Sequence, residues 1–490
     1  MTVTLHTRAD ITLDVYGRVA WQGEDVHFDP AALVRIGDCR AAFLRLIEDP
    51  AVVVYGVTSG YGQMAHLRFT PEERRRHAAK PAHAAMASFG EPLPERVTRG
   101  MVLARLANFV DGHAAVSPAL AEAVAGLLSG APLPLVPALG NGCPGEILAL
   151  SHLLTPLAET FDLGEKETLS LVNGSPCAAA LIADAVLAGR NRLALAAQVF
   201  ALSIEAMKAP LGAYDEALDD LWGDPHEAAA LRSLRSWLDG VHADDDGRRP
   251  YQAPVSWRIV PRVLGQAWRS LAAAEEVAAT SLRSVSDNPV FLPPDAAHPN
   301  GRVFSTGGYH NAAAYPALDN LAACWADLAL LCDRQVTKLM DGKVSLLPHL
   351  LMRDDGYLGC LGFSAAGYAE QARQAAQRSF LPGSEGGGFA QNDVAVPTFL
   401  SWRKEGEAGQ CLEAALAILA AIASQALYIT ERPGPPRLRP FVEVIHQSFP
   451  PVSRRRPLGR DAQALHEALR ARVYAGDVAE NNLALSATSH

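Results

Sequence analysis

Alanine and leucine dominate long stretches of this chain that read as helices, and Val260 to Val285 carries its apolar residues at spacings of three and four, the pattern of a helix that buries one face. The clearest stretches run from Arg99 to Val116, Thr168 to Lys208, Val260 to Val285, Asn311 to Met340 and Glu407 to Tyr428. Their only prolines are Pro176, Pro261 and Pro316. Each lies near a start, where a first helical turn tolerates the missing amide. Pro118 ends or interrupts the first stretch, and Ala119 to Leu128 reads as a second helical piece. Strand signals are few, and Val52 to Tyr55 is one short β-branched run. The most apolar run, Cys411 to Tyr428, contains Glu413, Ser424 and Gln425. It is short for a membrane span and is expected to be a buried helix of a large bundle.

The helical stretches are separated by loops that collect the unusual residues. Tyr55 to Gly62 holds three glycines, and Pro132 to Gly145 holds four prolines and three glycines. Asp244 to Pro254 is polar, and Leu381 to Phe389 contains Gly383, Gly386, Gly387 and Gly388. Pro433 to Pro440 reads as a linker. The expected division is an N-terminal region 1–180, a central long-helix bundle 181–432 and a C-terminal helical segment 433–490.

Composition narrows the function. The formal net charge of −10 argues against a broad nucleic-acid surface. The runs Arg74-Arg75-Arg76 and Arg454-Arg455-Arg456 read as solvated faces. Seven cysteines without a CxxC spacing fit neither a disulfide framework nor a structural zinc site. No metal is expected. Met1 to Asp14 has no long apolar run of the secretory kind. The expectation is a cytoplasmic protein that binds no membrane.

Several loop strings carry a further signal. Tyr55-Gly56-Val57-Thr58-Ser59-Gly60-Tyr61-Gly62, Gly90-Glu91-Pro92-Leu93, Asn173-Gly174-Ser175, Gln252 to Gly265, Ser286-Asp287-Asn288-Pro289, Ser305 to His310 and Gln391-Asn392-Asp393-Val394 occur in this order. Together they resemble the motif series of the aromatic amino-acid ammonia-lyases. The resemblance implies an all-α fold, an elongated bundle of long central helices. It also implies a homotetramer whose active sites are each built from loops of three subunits.

Members of that family make a methylidene-imidazolone (MIO) from an internal Ala-Ser-Gly. Here the corresponding positions are Cys143-Pro144-Gly145. If Pro144 is the middle residue, there is no hydroxyl or thiol to eliminate. If Cys143 is the middle residue, the ring nitrogen must come from Pro144, whose peptide nitrogen has no hydrogen. No MIO is expected in either register, and no other cofactor is implied. Cys143 reads as a small thiol filling the vacated space, with a nucleophile as the sharper alternative. Glu146 replaces the family's usual aspartate and is expected to support a helix start.

The resemblance implies the remaining roles. Tyr55 matches the general base for the β-proton, which requires a loop that depresses its pKa. Arg258 matches a carboxylate-binding arginine, whose planar fork suits that group. Asn173 matches an asparagine near the substrate amine or carboxylate. These three are the catalytic candidates. Gln252 matches a pocket glutamine, Tyr309 a pocket phenylalanine, and His310 a structural histidine. His83 lies near the ring-selectivity position. Asn392 stands where histidine-type members carry glutamate, which leans towards the phenylalanine type. Val255 replaces a tyrosine used in the usual elimination.

Three functions follow. The first is elimination without MIO from a carboxylate-bearing substrate with a good leaving group, as in ergothionase-type relatives. Tyr309, Trp257 or Phe389 would then hold a quaternary cation. The second is an isomerase or cyclase reusing Tyr55. The third is an inactive binding or partner subunit.

Overall fold

The computed structural model describes residues 2–241, 249–384 and 391–475. The fold is mainly α. Two short pairings are its only named sheets among the described residues: Thr2–Leu5 parallel with Asp25–Phe28, and Val290–Leu292 antiparallel with Arg302–Phe304.

The chain divides into two compact units that interleave in sequence. The first comprises Met1–Val186, Ala274–Leu318 and Arg378–Trp402. The second comprises Leu187–Ala273, Asp319–Gln377 and Arg403–His490. Consecutive segments 1–180, 181–432 and 433–490 divide the chain differently, because long helices such as Pro176–Ala206 and Thr398–Ile429 run from one unit into the other.

In the first unit, the helix Glu95–Val110 is buried on every side from Val97 onward. Its polar residues must therefore find partners inside. Arg99 donates to the carbonyls of Val19, Glu24 and Leu128 at 2.8, 3.0 and 3.2 Å. Asn108 Oδ1 accepts the amides of Ser286 and Asp287 at 2.7 and 3.1 Å. Pro118 opens the helix Pro118–Gly126 instead of interrupting one, with Ser117 as its cap.

Val52 to Tyr55 does not form a strand. Thr58 Oγ1 takes the Val54 amide at 2.7 Å, and the Val54 carbonyl accepts the amides of Val57, Thr58 and Ser59. A local turn thus uses the groups that a ladder would need. Val54 and Val57 join a core cluster in which Phe43 and Phe291 meet edge to face, 5.7 Å between centroids. That cluster anchors the loop carrying Tyr55.

In the second unit, the apolar run around Cys411 lies in the helix Thr398–Ile429. Its Glu413 is fully buried and accepts from Arg192 Nε at 2.8 Å. Glu405 accepts from Arg192 and from Trp325, at 2.8 and 2.7 Å. The polar interruption of the apolar run is one member of a buried charged network. Two helical stretches, Glu167–Ala206 and Thr398–Ile429, are long and apolar enough to cross a bilayer, but their most apolar windows are 100% and 89% buried. They are core helices.

Candidate active site

The stretch Thr168 to Lys208 is not one helix. It breaks between Glu167–Val172 and Pro176–Ala206, and Asn173-Gly174-Ser175 forms the gap. Gly174 has φ 134°, a value that L side chains rarely adopt. Arg105 and Ser286 hold the gap open. Arg105 donates to the Asn173 carbonyl at 2.7 Å, and Ser286 Oγ accepts the Ser175 amide at 3.0 Å. The collinear motifs 173–175 and 286–289 are therefore two sides of one polar junction.

Asn173 is 6% exposed. Its Nδ2 donates to the Asn288 carbonyl at 2.8 Å. Its Oδ1 faces Gly145, where any Cβ would collide with it. Gly145 has φ 68° and accepts the Gly174 amide at 3.1 Å. The Tyr309 ring also closes on this glycine, 3.5 Å from the place of its missing Cβ. Cys143-Pro144-Gly145 is thus a packed turn beside Asn173 and Tyr309. Its residues do not fit MIO formation, because Pro144 offers neither a hydroxyl nor an N–H.

Burial pushes the Cys143 thiol up, against the Leu148 and Ile147 amides that favour thiolate. No basic side chain is hydrogen-bonded to it among the described residues. The space-filling reading is the one this geometry supports. Glu146 supports a helix start, but not its own. Its carboxylate accepts the amides of Cys177 and Ala178, at 2.6 and 2.8 Å, in the first turn of Pro176–Ala206.

A cavity of about 440 Å³ opens in the first unit, lined by Tyr55, Asn173 and Asn392 together. Three residues far apart in sequence thus meet in one place. The Tyr55 hydroxyl oxygen accepts the Gly62 amide at 2.9 Å, which fixes the ring across its own loop. Gly56 has φ 69°, and a Cβ there would stand 2.8 Å from Leu169. His77, Lys80 and Lys166 also line the cavity. Lys166 sits in the left-handed region at φ 75° and is fully buried. It pairs with Asp287 and donates to the Ala114 carbonyl and Ser170 Oγ, at 2.9 and 2.8 Å. Burial lowers its pKa, and Asp287 opposes that shift.

Other candidates lie elsewhere. His83 does not line the cavity, although Ala82, Ala84 and Ala85 do. Its exposed ring meets Glu159 at 2.6 Å. Trp257 cannot hold a cation, because it is fully buried and its Nε1 is directed at Ser203. Phe389 and the segment 242–248 of the Asp244 to Pro254 loop lie outside the described residues, as do Gly386 to Gly388. Gln252 and Arg258 belong to the second unit and are exposed, as is Val255. Arg258 Nε donates to the Ala253 carbonyl at 3.0 Å. No carboxylate partner faces Arg258 among the described residues.

The sequence reading missed His77, Lys80 and Lys166. His77 lies in the last turn of an arginine-rich helix, Pro71–Ala78, that reads as solvent-facing, and Lys80 follows it; Arg75 and Arg76 are indeed exposed. The pair Lys166-Glu167, set just before an apolar stretch, was the available signal for Lys166.

The chain belongs to the aromatic amino acid lyase family, whose model matches residues 11–160 and 158–449. It is 28% identical to the histidine ammonia-lyase of Paracidovorax citrulli over 72% of this chain and 73% of that protein. Its fold matches the ergothioneine-degrading enzyme ergothionase from Treponema denticola with a TM-score of 0.87, at 19% identity, over 97% and 99% of the two chains. It matches tyrosine aminomutase from Streptomyces globisporus with a TM-score of 0.85, at 22% identity, over 98% and 99%.

Proposed function

We propose that the chain is a lyase that works without MIO, eliminating a good leaving group from an amino-acid-derived carboxylate. The carrying observation is a contrast within one unit. The electrophile position is a closed turn containing proline, while Tyr55, Asn173 and Asn392 still line one cavity. A free ammonium is a poor leaving group without covalent activation. A trimethylammonium leaves as a neutral amine and needs none. Tyr55 takes the β-proton, the C–H electrons form the C=C bond, and the C–N electrons leave with trimethylamine. Arg258 holds the carboxylate through a bidentate fork. The family resemblance supports a homotetramer in which Gln252 and Arg258 reach a Tyr55 cavity from a neighbouring copy.

The test is a panel of histidine, phenylalanine, tyrosine and their trimethylammonium betaines, ergothioneine included. Ultraviolet absorbance reports a new conjugated acid. The reading expects turnover of a betaine, none of any free amino acid, and loss of turnover in Tyr55→Phe. Silence across the panel overturns it in favour of a repurposed isomerase or cyclase, or of a binding subunit.

A further inference from the structure

The charges around the Tyr55 cavity are one-sided. No aspartate or glutamate lines it among the described residues, while Lys80, Lys166 and His77 do. Lys166 is committed, since Asp287, Ser170 and Ala114 take its three donors. Lys80 is exposed, and no carboxylate pairs with it among the described residues. Its ammonium stands near enough to His77 to hold that imidazole's pKa down, added to the larger effect of burial. The His77 ring is itself wedged between Tyr61 and Phe69, at 5.1 and 4.9 Å between centroids. Asn392, a neutral amide, lines the same cavity.

A free cation with no anion beside it repels a positively charged ring placed next to it and attracts an anion. The cavity is large enough for a small ring with one substituent. Resting on the lyase reading above, we propose that the substrate carries a second anionic group, at the end remote from its α-carboxylate, and that Lys80 receives it. The leaving ammonium, on the carbon next to the one Tyr55 deprotonates, then lies toward Tyr55 and Asn173 and apart from Lys80. Lys80 is a specificity residue, and it takes no part in the proton transfer.

The test is direct binding of conjugated acids, which needs no turnover. Calorimetry on the full chain would compare trans-cinnamate, trans-urocanate and trans-4-carboxycinnamate. The 4-carboxylate is expected to tighten binding about tenfold over cinnamate, the scale of one charge-assisted hydrogen bond. Lys80→Met should erase that preference while leaving cinnamate affinity unchanged, and Lys80→Arg should keep it. The unchanged cinnamate affinity shows that the variant is folded. Equal affinities, a preference that survives Lys80→Met, tighter binding of urocanate, or no binding of any acid overturns the proposal. Betaine turnover without a charge preference would leave the elimination standing and remove this inference alone. A Lys80-dependent preference with no turnover would do the reverse.

Discussion

Glu146 caps a helix thirty residues away from its own position: its carboxylate accepts the Cys177 amide at 2.6 Å. Burial lifts this carboxyl from an ordinary 4.5 to about 7, although the two amides and Arg105 favour its charged form. A raised carboxyl pKa means that the folded chain holds a proton which the unfolded chain has released. Its stabilising contribution is full below pH 4.5 and is lost as pH rises to about 7. The loss is at most about 3 kcal/mol. Glu146→Gln should flatten the fall of the urea midpoint between pH 5 and 7.5. An unchanged slope in the variant would remove Glu146 as its source.

Tyr55 owes its orientation to the Gly62 amide and its place to a turn anchored on the Phe43–Phe291 cluster. Tyr55→Phe deletes both the proton acceptor and the bond to Gly62. Turnover should fall by about a hundredfold to ten-thousandfold, the range for one positioned base. The lost bond should cost only about 1 kcal/mol in stability. Cinnamate affinity measured on the same variant separates the two effects. A loss of binding equal to the loss of rate would mean that the loop collapsed and that Tyr55 is not the base.

The long helices were legible because alanine and leucine run on over many turns, with a three-and-four spacing in Val260 to Val285, and Glu95–Val110, Val260–Arg283 and Ala314–Met340 fall near their expected ranges. The Tyr55 loop was misread as part strand because β-branched Val52 to Val54 carry that propensity. Thr58, four residues on, decides the matter by taking the Val54 amide. Asn173 and Asn392 were legible only through motif order, since their meeting depends on tertiary packing. The reach of Glu146 to Cys177 was not legible at all, because a cap on another helix leaves no local spacing.

Lys166, which lines the cavity, forms a fully buried ion pair with Asp287. Removing one partner strands the other charge in a low-dielectric interior. Lys166→Met should therefore destabilise the fold by about 3–5 kcal/mol. Adding Asp287→Leu should recover part of that loss. Arg105 also acts on this carboxylate electrostatically, so the recovery should be incomplete. Thermal melts of the single and double variants check this, and full additivity of the two losses would show that the pair is not coupled.

The most economical check concerns Cys143-Pro144-Gly145. MIO formation removes two waters from the chain, so intact-mass spectrometry reads it directly. The wild-type chain should weigh what its sequence requires, because Pro144 can supply neither the eliminated hydroxyl nor an attacking N–H. Cys143→Ala should then leave betaine turnover within about twofold, as expected for a thiol that burial keeps protonated. A mass short by two waters would overturn the MIO-free mechanism. A full mass with turnover abolished by Cys143→Ala, but restored by Cys143→Ser, would instead make this side chain a participant in place of the lost electrophile.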